Sequence, residues 1–146
     1  MIYITRKLEF CASHRLFNPR FSDEKNQSVF GLCNNPNGHG HNYTLEVTVK
    51  GEVQPETGMV VDLKSLKKLV QTEVIDKMDH KNLNVDVAFL KDTIPTAENI
   101  AIKIWQVLES KIERGVLHQL KLYESDRNYV IYQGESVERT GAATTD

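Results

Sequence analysis

Two runs of alternating residues constrain this chain more than anything else in it, and both end on histidine. Ile2, Ile4, Leu8, Phe10 and Ala12 share one parity, which closes on His14. His39 and His41 open the second run, and Tyr43, Leu45, Val47 and Val49 continue their parity. Successive side chains of a strand point to opposite faces, so each run reads as a strand with one buried side. The pattern predicts strands over residues 2–14 and 41–51, with Thr44, Glu46, Thr48 and Lys50 facing outward.

Imidazoles on an apolar face need partners, because a polar group taken from water without a hydrogen bond is costly. One buried histidine is usually satisfied locally. Three on inward faces, with His39 and His41 spaced to chelate, point instead to a shared divalent metal, with zinc the first choice. Three neutral ligands leave the ion its charge and an open position, the pattern of a catalytic site.

The rest of the pattern places these strands in an α+β domain. Asp62 is a helix cap followed by Leu63, Leu66, Leu69, Val70, Val74 and Met78 at helical spacing. Thr96 caps a second helix whose stripe is Ile100, Ala101, Ile104, Trp105, Leu108 and Ile112, with Glu98 in its first turn. Two more strands are predicted near 116–124 and 128–134. The order ββααββ predicts a four-stranded antiparallel sheet with both helices on one face. Residues 15–38 read as a long functional loop. Residues 1–137 are expected to form a single domain, and 138–146 a flexible tail.

Net charge of −2 gives no basic excess for nucleic acid or an anionic membrane surface. No apolar run is long enough to span a bilayer. Two cysteines make no disulfide framework, and with no recognisable targeting segment the expected compartment is a reduced, cytoplasmic one.

Four further positions carry chemistry. Cys33 stands in the polar stretch Asn34-Asn35-Pro36-Asn37 shortly before the histidine pair. A free cysteine is commonly a small buried hydrophobe. Near a cation its thiolate is favoured, and it could act as base or nucleophile, or as a fourth metal ligand. Cys11 has the opposite parity to His14 and reads as structural or exposed. Asp79 and His80 follow the first predicted helix, where a histidine is stabilised by the helix dipole; adjacent residues rarely face each other. Glu124 ends the inward set Leu120, Leu122, Glu124, and its two acceptor oxygens suit an amino-amide edge such as that of a pterin or guanine. Thr96 and Glu98 are fully explained as helix-start residues.

Five segments in register resemble the 6-pyruvoyl-tetrahydropterin synthase family. They are Phe10-Cys11-Ala12-Ser13-His14-Arg15-Leu16, Cys33 through Tyr43, Met78-Asp79-His80-Lys81-Asn82-Leu83, Pro95-Thr96-Ala97-Glu98-Asn99-Ile100-Ala101, and Tyr123-Glu124-Ser125-Asp126. The resemblance implies a T-fold, a hexamer of two trimers, and zinc on His14, His39 and His41. It implies Cys33 as general base, with Asp79 and His80 contributed by a neighbouring subunit. It implies Glu124 as a catalytic residue, a proton carrier beside His80, and Glu124 and Thr96 as contacts to the pterin, with magnesium alongside zinc. The implied reaction is the lyase step from 7,8-dihydroneopterin triphosphate to 6-pyruvoyl-tetrahydropterin and triphosphate, in tetrahydrobiopterin synthesis. Arg15, Arg20 and Lys25 are triphosphate candidates by position alone. The nearest rival is 6-carboxy-tetrahydropterin synthase of deazapurine synthesis, in which the cysteine lies closer to the histidine pair. A rival of another class is a non-enzymatic module stapled by zinc.

Overall fold

Pairing of the two long alternating runs builds the centre of the sheet. The structure is a computed structural model and describes residues 1–135. Strand β1 (Ile2–His14) and strand β2 (His39–Gly51) pair antiparallel along their whole lengths, from Ile2 opposite Gly51 to His14 opposite His39. The inward parity of β2 is the expected one, with Tyr43, Leu45, Val47 and Val49 fully buried. In β1 Leu8, Phe10, Ala12 and His14 are buried, but Ile2, expected on the same face, is exposed at the strand's open end. Thr48 departs from its expected outward exposure and is buried, because its hydroxyl pairs with that of Thr5 across the strands at 2.7 Å.

Strand β4 (Val116–Tyr123) adds to β2, and β5 (Tyr129–Tyr132) to β4, both antiparallel. The expected four-stranded antiparallel sheet is thus incomplete. A two-residue strand β3 (Lys81–Asn82) lies parallel to β1 at Ala12 and Ser13, giving a mixed five-stranded sheet in the order β3-β1-β2-β4-β5. Two residues are too few for any periodicity to reveal.

The connection from 15 to 38, expected as a loop, carries helix α1 (Asp23–Phe30) and a 3₁₀ turn, Gly31–Asn34. Only Asn26 of α1 is buried, so the helix has no apolar stripe to read. Its readable signal is the cap: the Ser22 hydroxyl accepts from Lys25 N, with Asp23 and Glu24 in the first turn.

Helix α2 (Leu63–Val70) starts at its Asp62 cap and runs through a π turn (Gln71–Ile75) into α3 (Asp76–Met78). Leu66, Val70, Val74 and Met78 recur every four residues and are all buried. On a straight α-helix such a row drifts by about 40° per step, and the wider π turn keeps it facing the sheet. Helix α4 (Ala97–Leu108) is capped by Thr96, whose hydroxyl accepts from Asn99 N. The α2–α3 rod packs on β1, and α4 on β4 and β5, so the core lies between sheet and helices. No helix among the described residues is long and apolar enough to cross a membrane. The tail expected at 138–146 lies outside the described residues.

Candidate functional site

The β1–β2 register assembles the histidines. His14 and His39 are directly opposed, and His41 faces Ala12, two places along the same side. The three rings form a triangle with centroids 4.7, 4.8 and 5.0 Å apart and interplanar angles of 71°, 87° and 88°. One nitrogen from each lies within 4.8 Å of the others, and among the described residues no cysteine or carboxylate joins the group. Cys33 as a fourth ligand therefore has no support.

The neighbours of each ring show which nitrogen is free. His14 Nδ1 lies 2.8 Å from the Pro95 carbonyl. A carbonyl only accepts, so Nδ1 carries the proton and Nε2 presents its lone pair. That Nε2 is 3.1 Å from His39 Nε2. His41 Nε2 is buried with no hydrogen-bond partner. Its nearest acidic oxygen, Glu124 Oε1, stands at 3.6 Å, too far for a hydrogen bond. Converging, partly unsatisfied imidazole nitrogens, one held from behind by a backbone carbonyl, fit a bound metal ion. Gly38 belongs to the same construction. Its φ is +72°, and a Cβ there would stand 2.9 Å from the His14 carbonyl oxygen.

Burial pushes the pKa of both His14 and His41 below the ordinary histidine value; the Pro95 contact opposes this at His14, and the Glu124 charge opposes it at His41. Both rings are thus held neutral, the form that binds a metal. The sign for stability follows. Below the unfolded pKa of 6.5 the unfolded chain binds protons that the folded one refuses, so stability is full above that pH and falls beneath it. Metal-stripped protein is expected to melt at progressively lower temperature from pH 7 to pH 5. A flat Tm across that range contradicts the burial argument.

Glu124 follows the end of β4 and is held by a turn in which its N–H donates to the Asn128 carbonyl. It lines a cleft of about 450 Å³ with Thr96, Glu98, Arg127, Asn128 and Leu16. The sequence-predicted pair Thr96 and Glu124 thus meets in one cavity, beside His41. Arg127, Asn128 and the Pro95 carbonyl were not anticipated. The first two stand in a turn segment with no periodicity, and a backbone carbonyl leaves no mark in residue type. Tyr43 lies beneath the rings, its hydroxyl 3.4 Å from His14 Nδ1, and burial keeps it protonated.

Cys33 is half-buried in the 3₁₀ turn. Cys11 is exposed, as its parity requires. Asp79 and His80 do face each other: His80 adopts a φ of 61°, and its Nδ1 lies 3.0 Å from Asp79 Oδ2. The left-handed backbone is held by His80 N–H donating to the Cys11 carbonyl. Asp79 Oδ1 in turn accepts from Cys11 N at 2.8 Å, a bond that lowers its pKa, with the His80 contact adding to the effect. The His80 side chain is 82% exposed, and among the described residues it is not a member of the three-histidine group. A larger cleft of about 840 Å³ is lined by Arg15, Arg20 and Gly38 among others, while Lys25 lies over the Phe21 ring instead.

The family model described as 6-pyruvoyl tetrahydropterin synthase matches residues 3–135. The chain is 49% identical over 132 residues to a human protein named 6-pyruvoyl tetrahydrobiopterin synthase, covering 90% of this chain and 91% of that one. A solved Caenorhabditis elegans 6-pyruvoyl tetrahydropterin synthase superposes with a TM-score of 0.87 at 43% identity, over 92% of this chain and 96% of the other. A Rickettsia bellii protein named 6-carboxy-5,6,7,8-tetrahydropterin synthase is more distant, 30% identical over 149 residues, 89% of this chain and 99% of that one. With the matched residues spanning the histidine triangle, the Glu124 cleft and the Asp79–His80 pair, the chain belongs to the 6-pyruvoyl tetrahydropterin synthase family.

Proposed function

We propose that this chain is a zinc-dependent lyase converting 7,8-dihydroneopterin triphosphate to 6-pyruvoyl-tetrahydropterin and triphosphate, in tetrahydrobiopterin synthesis. The observation that carries the reading is the adjacency of a three-histidine metal group to a cleft holding one carboxylate, in a chain of this family. The neutral nitrogen set suits zinc, held by His14, His39 and His41. When bound, zinc supplies Lewis acidity toward the hydroxyls of the substrate side chain.

The chain's own residues account for the rest. Glu124 accepts from the amino-amide edge of the pterin, with Thr96 at the same cleft wall. Cys33 is the general base that takes a proton from the side-chain carbon. His80, oriented by Asp79, relays protons. Loss of that carbon-bound proton and delivery of protons to the ring shift two electrons from side chain to ring. The ring reaches the tetrahydro level without an external reductant as the first side-chain carbon becomes a carbonyl. Loss of the proton on the second carbon then expels triphosphate from the third, and the enol so formed takes a proton at its terminal carbon to give the second carbonyl and a methyl group. We expect magnesium to accompany the triphosphate, whose charge it screens.

The assembly belongs to the same proposal: a T-fold homohexamer of two trimers, in a cytoplasmic setting, with Asp79 and His80 completing the site of a neighbouring copy. The exposure of His80 supports this, as do the exposed Tyr129 and Ile131 on the edge strand β5.

The test is metal-dependent release of inorganic triphosphate from dihydroneopterin triphosphate, with Glu124→Ala alongside the parent. The parent is expected to turn over, and Glu124→Ala to lose at least about 10-fold in kcat/KM while keeping its metal, since a bidentate charged contact contributes about 1.5–3 kcal/mol. No triphosphate release by metal-loaded parent protein would overturn the proposal.

A further inference from the structure

Arg15 sits immediately after β1 ends, where its backbone groups have no strand to pair with. One side chain takes the place of that strand. Asn84 Oδ1 accepts from Arg15 N at 2.7 Å, and Asn84 Nδ2 donates to the Arg15 carbonyl at 2.8 Å. Together with Leu83 N donating to Ser13 O, the amide prolongs the short β1–β3 pairing by one residue.

The guanidinium of Arg15 then reaches the turn that carries Cys33. Its Nε donates to the Asn34 carbonyl at 2.9 Å and its Nη2 to Asn34 Oδ1 at 3.0 Å, with Asn34 itself buried. Leu16 N donates to the Cys33 carbonyl at 2.8 Å. The face of Phe17, 4.3 Å from the guanidinium carbon, flanks the clamp. His14, one residue earlier, is a metal ligand in our reading. A single two-residue segment therefore connects ligand and base, and Asn84 fixes that segment.

We propose that Asn84 and Arg15 are positioning residues: they set the Cys33 thiol relative to the histidine triangle through the chain Asn84–Arg15–Asn34. The inference rests on the reading of Cys33 as the base. It concerns reach rather than substrate contact, so it separates kcat from KM. Displacing a reacting group by about 1 Å costs on the order of 100-fold in rate.

The experiment uses full-length, metal-loaded protein with Cys11→Ser, so that Cys33 is the only thiol. Asn84→Ala, Asn84→Asp and Arg15→Lys are compared for kcat, KM, metal stoichiometry and the rate of Cys33 alkylation by iodoacetamide. Asn84→Ala is expected to lose about 10- to 100-fold in kcat, with KM within about threefold, metal unchanged and the alkylation rate altered by at least about threefold. Asn84→Asp keeps the acceptor for Arg15 N but loses the donor to Arg15 O, and falls between Ala and parent. Arg15→Lys cannot hold both Asn34 oxygens in a fork and follows Asn84→Ala in kcat and alkylation rate. Alkylation and kcat of Asn84→Ala both within about twofold of the parent overturn the proposal. So does loss of metal in Asn84→Asp and Arg15→Lys alike, which reduces the clamp to general support. If Cys33→Ala turns over like the parent, the base assignment fails instead; alkylation rate and metal content still read the clamp without turnover.

Discussion

Cys33→Ala is expected to keep its fold and its metal and to lose turnover by about 10²- to 10⁴-fold, the usual contribution of a positioned general base. The structure separates the two properties. Cys33 is absent from the metal group, and the turn that carries it is held through main-chain carbonyls and the Asn34 side chain, none of which the substitution touches. Metal stoichiometry, a melting curve and a kcat on the same preparation check this. A non-enzymatic zinc module predicts the reverse, a change in stability or metal content with no turnover to lose. If His80 serves a neighbouring copy, mixed oligomers of Cys33→Ala and His80→Ala should regain part of the lost activity. Mixed oligomers that stay inactive would place the whole site within one chain.

The second large effect is at the triangle. His39→Ala is expected to weaken metal binding by more than about 100-fold, since even outer-shell partners of a ligand are worth 10- to 100-fold. Turnover should disappear with the metal. The fold should survive, because His39 is only half-buried and the cross-strand pairs from Ile2–Gly51 to Ala12–His41 remain. Titration with zinc, followed by assay at saturating metal, measures the loss. Full activity of His39→Ala without added metal would contradict the assignment.

Much of this was legible in the sequence because it rests on parity. Alternation from Ile2 to His14 and from His39 to Val49 fixed which residues share a face, and register then had little freedom to separate the histidines. The caps at Asp62 and Thr96 were equally readable. What escaped has no period. Helix α1 has no apolar face, and β3 is two residues long. Thr48 is buried by a hydroxyl pair that only the register creates. Asp79 and His80 meet because His80 takes a left-handed backbone, a conformation that residue type does not announce in a non-glycine. Asn34 and Asn84 carry no periodic signal in the sequence, and only tertiary structure makes them a clamp on Arg15.

The measurement that bears most directly on the central claim is the mass of the pterin product. Zinc-loaded protein is incubated with 7,8-dihydroneopterin triphosphate and magnesium in the absence of oxygen. The account predicts a pyruvoyl tetrahydropterin together with free triphosphate. A carboxy tetrahydropterin with acetaldehyde would contradict it and move the chain to the deazapurine branch, leaving the histidine triangle intact.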